Sequence, residues 1–106
     1  MKPQPLLLGT VAIWLASMPN AMAASFDCNN ARTPTEMAIC SDATLSGLDE
    51  QLALSYGYAR KRSQPAREKQ VQRLQRAWVQ QLSICHADVT CLTGLFQERI
   101  QWLENW

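Results

Sequence analysis

The chain has 106 residues, ten basic and nine acidic side chains and a formal net charge of +1. So even a balance argues against a nucleic-acid partner, which would call for a clear basic excess. Four cysteines in so short a chain point to an oxidising compartment rather than the cytoplasm.

In chain order, the first feature is an export signal. Lys2 supplies a positive start, and the apolar run Leu6 to Met18 is shorter than the ~20 residues a membrane span needs. Pro19 and Asn20 break the run, and Ala21 and Ala23 are the small side chains a signal peptidase seats. Cleavage is therefore expected between Ala23 and Ala24, so that residues 1–23 are a signal peptide and residues 24–106 one small domain. Cys28 follows Ser25-Phe26-Asp27 rather than a small-residue box, so no lipid attachment is expected. The processed chain should carry no stable membrane anchor and lie in the periplasm or outside the cell.

A domain of this size is close to the limit at which a hydrophobic core suffices alone. Cys28, Cys40, Cys85 and Cys91 can pair in three ways. The pairing Cys28 with Cys40 and Cys85 with Cys91 is favoured, because each pair closes a short segment containing a helix end. A zinc site fits poorly, since its knuckles are about two to four residues wide. The haem-attachment pattern is also missing, because position 82, three before Cys85-His86, is Leu82. No cofactor or metal is expected, and His86 reads as a solvated loop residue.

Four helices follow. Thr33-Pro34-Thr35-Glu36 has the chemistry of a capping box with proline in the first turn, and opens a short helix ending near Cys40. Ser41 and Asp42 offer a fresh cap, and Leu45, Leu48, Leu52, Tyr56 and Ala59 form one face of a second helix reaching about Arg62. Ser63-Gln64-Pro65 interrupts the pattern, after which Val71, Leu74, Trp78 and Leu82 make the stripe of a third helix that stops near Cys85. Asp88 or Thr90 caps the last helix, with Leu92, Leu95, Phe96, Ile100 and Leu103 facing inward. The expectation is an all-α, disulfide-stapled antiparallel bundle, a short N-terminal helix followed by three longer ones.

Charge is distributed unevenly along this frame. Residues 24–59 hold five carboxylates against one arginine, whereas residues 60–76 hold seven basic groups against Glu68. Lys69, Arg73 and Arg76 recur at helical spacing as a basic ridge, either a solvated face or a surface for an acidic partner. Trp78 belongs to the inner stripe. Trp102 and Trp106 flank the main stripe with Leu95 and Arg99, and are candidates for an exposed aromatic contact or for wrapping the core edge. Asp49 and Arg99 are polar positions beside the stripes of the second and fourth helices, where an ion pair between helices is expected. No nucleophile, base or metal set forms a catalytic constellation, since capping and solvent account for the carboxylates Glu36, Asp42, Asp49 and Glu50. The chain is read as a binding protein and not an enzyme.

Phe26-Asp27-Cys28, Ala31, Thr33-Pro34, Glu36, Ile39-Cys40, Asp42, Leu45, Leu48-Asp49, Leu52 and Tyr56 together resemble the opening pattern of the lysozyme-inhibitor LprI-like domain. Gln75-Arg76, Trp78, Cys91-Leu92, Phe96, Arg99-Ile100 and Leu103 resemble its closing half, so the resemblance spans nearly all of residues 24–106. It implies a small exported bacterial domain, all-helical and disulfide-bonded, some of whose relatives are associated with inhibiting lysozyme. The expected partner is then a lysozyme-type muramidase, bound stoichiometrically, with Arg73, Arg76, Trp102 and Trp106 as contact candidates. The alternative is an envelope-associated interaction, immunity or stress protein with a different partner.

Overall fold

The computed structural model describes residues 24–106, so the expected signal peptide falls outside the described residues. Four α-helices run Pro34–Ser41 (α1), Ala43–Lys61 (α2), Pro65–Gln81 (α3) and Val89–Glu104 (α4). Short 3-10 turns cover Cys28–Asn30 and Leu82–Cys85, and no strand occurs among the described residues.

Three of the four helices begin where a side chain accepts from a free N–H group of the first turn. At α1, Thr33 Oγ1 accepts from the Glu36 N–H at 3.0 Å while Glu36 Oε1 accepts from the Thr33 N–H at 3.1 Å, completing the capping box. Asp42 Oδ1 caps α2 through the Leu45 N–H at 3.0 Å, and Asp88 rather than Thr90 caps α4 through the Cys91 N–H at 2.8 Å. Pro65 opens α3 without a side-chain cap.

The long helices alternate in direction. Near one end Arg60 meets Glu68, and near the same end the Trp106 indole N–H donates to Ser63 Oγ at 2.9 Å. Thus α3 runs antiparallel to both α2 and α4, and α2 and α4 run the same way, sharing the most extensive of the helix contacts. The core is formed by Leu45, Leu52 and Ala59 of α2, Val71 and Trp78 of α3, and Leu92, Phe96, Ile100 and Leu103 of α4. Trp78 meets Phe96 edge to face at 5.5 Å. The inner stripes expected from periodicity are largely those that are buried, with Leu48, Tyr56 and Leu95 half-buried at their margins; on α3, however, Leu74 is only half-buried and outside the core, and Gln75 is buried in its place.

Two disulfides join Cys28 to Cys40 and Cys85 to Cys91. The first ties the N-terminal turn to the last turn of α1, and the buried Ser46 hydroxyl donates to the Ile39 carbonyl to hold α1 against α2. The second clasps the turn between α3 and α4. There His86 and Ala87 have φ of 50° and 64°, the left-handed region that side chains with a Cβ disfavour.

Candidate functional site

The end of the bundle that carries the N-terminal segment and α1 holds a half-open recess of about 390 Å³. Phe26, Trp78 and Phe96 supply aromatic walls, Ile39, Leu52 and Leu82 aliphatic ones, and Glu36 and Asp49 the carboxylates. Thr33, Thr35, Gln80 and Ser83 add polar groups to the lining, and Val79, its one exposed large apolar side chain, is 48 % exposed. A concavity with apolar walls and a few polar groups is the usual form of a binding site.

The two carboxylates of the recess differ in environment. Glu36 sits at the surface, and the Arg32 backbone N–H at 2.8 Å, followed by that of Thr33, holds its carboxyl below the usual carboxylate range. Asp49 is only 8 % exposed, and its Oδ2 accepts from the Ser25 N–H at 2.7 Å and from the Ser25 hydroxyl.

The expected ion pair between Asp49 and Arg99 is not formed. Asp49 is turned to the N-terminal segment, whereas Arg99 Nε donates to Gln75 Oε1 at 2.9 Å and the guanidinium lies over the Trp102 ring at 3.7 Å and near Trp78 at 5.6 Å. A planar guanidinium gains from stacking on indole faces and from the buried amide of Gln75, and neither partner demands a carboxylate. Burial lowers the Arg99 pKa from its usual value, and its Nη2 is buried without a hydrogen-bond partner.

Trp102 and Trp106 are half-buried, 5.0 Å apart between ring centroids, and already engaged. Arg67 lies 3.9 Å over the Trp106 ring and donates to the main-chain oxygen of Trp106 at 2.8 Å, while Arg62 donates to the Leu103 carbonyl at the C-terminal end of α4. Cations at a helix C terminus complement its dipole and its unpaired carbonyls. This Arg–Trp latch fastens the end of α4 to the start of α3, at the opposite end of the bundle from the recess.

The basic segment 60–76 therefore divides. Arg60 pairs with Glu68 at 3.1 Å, the one ion pair among the described residues, and Arg62 and Arg67 serve the latch. Lys69, Arg73 and Arg76 remain exposed along α3. Arg76 stands one helical turn before Val79 and Gln80 of the recess, so the ridge leads to its rim. The roles of Arg62, Ser63, Arg67 and Gln75 are not legible in the sequence, because their partners lie 24 to 43 positions away.

Among the described residues no group of three or more His, Cys, Asp and Glu side chains is placed to hold a metal ion. No described helix is long and apolar enough to cross a membrane. Fold and bridges define the class: a small all-α bundle with two disulfides, whose bridges fit an oxidising, extracytoplasmic environment. Comparisons with protein-family models, with curated proteins and with solved structures gave no match.

Proposed function

We propose that the chain is an exported binding protein, periplasmic or secreted, that inhibits a lysozyme-type muramidase by occluding its cleft. The resemblance of the chain to LprI-like domains, most specific from Phe26 to Tyr56, motivates the choice of target. The observation that carries the binding role is the aromatic-walled recess, with Arg76 exposed one helical turn before its lining residues Val79 and Gln80 and Arg73 exposed further along the same helix. Aromatic walls supply contact area without new chemistry, and an exposed arginine ridge can enter an acidic cleft, where arginine is a frequent interface anchor. Of the contact candidates, Arg73 and Arg76 are the accessible pair. Trp102 and Trp106 already pack against Arg99 and Arg67, so a partner would meet only their outer edges.

Calorimetric titration of the processed protein into a panel of animal and bacterial muramidases tests the reading. Saturable one-to-one binding, weakened by Arg73→Ala or Arg76→Ala with melting unchanged, is expected. Absence of heat across the panel would favour the alternative of an envelope interaction protein with another partner.

A further inference from the structure

Asp49 presents an imbalance. Its carboxylate is nine-tenths buried, yet no described lysine or arginine pairs with it, and an unpaired buried charge is expensive. Its only hydrogen-bond donors among the described residues are the N–H and hydroxyl of Ser25, both on Oδ2; Oδ1 has none and is not a buried orphan, so it is open to solvent at the recess that Asp49 lines. The residue before Ser25 is Ala24, itself 5 % exposed and part of the core cluster. Covalent geometry keeps the nitrogen of Ala24 within about 3.7 Å of the Ser25 nitrogen, which is itself 2.7 Å from Oδ2. The missing charge can thus come from the backbone of Ala24.

We propose that Asp49 is the binding site for the chain's own α-ammonium group, created when the Ala23–Ala24 bond is cut. Hydrolysis by a processing endopeptidase adds water across that bond, leaving a carboxylate on Ala23 and a protonated amine on Ala24. The nitrogen changes from an amide with one N–H into a cation with three donors, and Oδ1 gains a charged partner. Phe26 and Asp49 both line the recess, so fastening residues 24–26 to α2 also sets that wall. The recess is then completed by processing, which ties binding competence to export. This inference rests on the expected cleavage point and on no particular partner.

The test uses protein exported and purified in its processed form. Intact mass first establishes whether the chain begins at Ala24; another N terminus would end the proposal together with the cleavage reading, whatever the partner. With Ala24 first, the α-amine is expected to react with an amine-selective anhydride at least tenfold more slowly in the folded than in the denatured protein. Asp49→Asn should abolish that protection. Because Asp49→Asn also removes the Ser25 bonds, the second variant inserts one glycine between Ala23 and Ala24, which keeps small residues at the cleavage box and displaces the amine. That insertion should restore reactivity and lower Tm by about 5 °C or more. An Ala24 amine that reacts equally fast in folded and denatured protein, or an insertion that leaves reactivity and Tm unchanged, would overturn the proposal.

Discussion

Replacing Arg99 with methionine keeps much of the side-chain stem while removing the guanidinium, and so isolates what the latch side of the bundle owes to that group. Loss of the bond to Gln75, whose amide is buried at 8 % exposure, leaves that oxygen without its partner at a cost of about 1–3 kcal/mol. Loss of the 3.7 Å stack on Trp102 removes a further 0.5–2 kcal/mol or about that. Arg99→Met should therefore destabilise by about 2–4 kcal/mol in urea unfolding followed by helical circular dichroism, with the slope unchanged. Double-mutant cycles then locate the partner. Arg99→Met with Gln75→Leu should cost about 1–2 kcal/mol less than the sum of the single changes, because the stranded amide is gone. Arg99→Met with Asp49→Asn should be additive to within about 0.5 kcal/mol, since the two residues share no partner. A large coupling between Asp49 and Arg99 with none between Gln75 and Arg99 would refute this assignment and restore the ion pair.

Three further outcomes follow from the same structure. Replacing Cys85 and Cys91 together with serine should cost about 2–3 kcal/mol, as should replacing Cys28 and Cys40, and non-reducing peptide mapping should show linkage within each pair alone; a Cys28 peptide linked to Cys85 or Cys91 would contradict the fold. Glu36 has its pKa lowered in the folded state, so its contribution is present above the unfolded glutamate value of about 4.3 and is lost as pH falls through the folded value. The Tm gap between the native chain and Glu36→Gln should accordingly be open at neutral pH and close below about pH 4, and a gap that widens in acid would reverse the sign. Ala87→Gly relieves a φ of 64° and should raise stability by about 0.5–1 kcal/mol in denaturant titration, whereas a loss would mean that the turn is not strained there.

Much of the frame was legible because its determinants are local. Thr33, Glu36, Asp42 and Pro65 lie within three residues of the groups they cap or the turn they open, and the stripes repeat every three or four positions. The cysteine pairing was legible for the same reason, since each bridge spans a sequence separation of 12 or fewer. The long-range polar partners were not. Asp49 and Arg99 are expected to pair on charge alone, but a carboxylate whose donors come from Ser25, 24 positions away, and an arginine claimed by Gln75 and two tryptophans leave no signal at sequence level. The basic run 60–76 read as one feature although its members do different work. Arg60, Arg62 and Arg67 are engaged within the bundle, while Arg73 and Arg76 stay exposed. The recess too is assembled from segments distant in sequence: periodicity places Leu52, Trp78, Leu82 and Phe96 on inner stripes, but gives no sign that Phe26, Ile39 and Asp49 join them.

A peptidoglycan-clearing assay, with the processed protein titrated against fixed enzyme, tests the proposal that this bundle stops a muramidase by binding it. Inhibition should rise linearly to an end point near one inhibitor per enzyme, reverse on dilution, leave both chains at their original mass, and fall at least tenfold in affinity for Arg73→Ala combined with Arg76→Ala, a loss of about 1.4 kcal/mol or more. Undiminished clearing by animal and bacterial muramidases at a large molar excess of folded protein would contradict it.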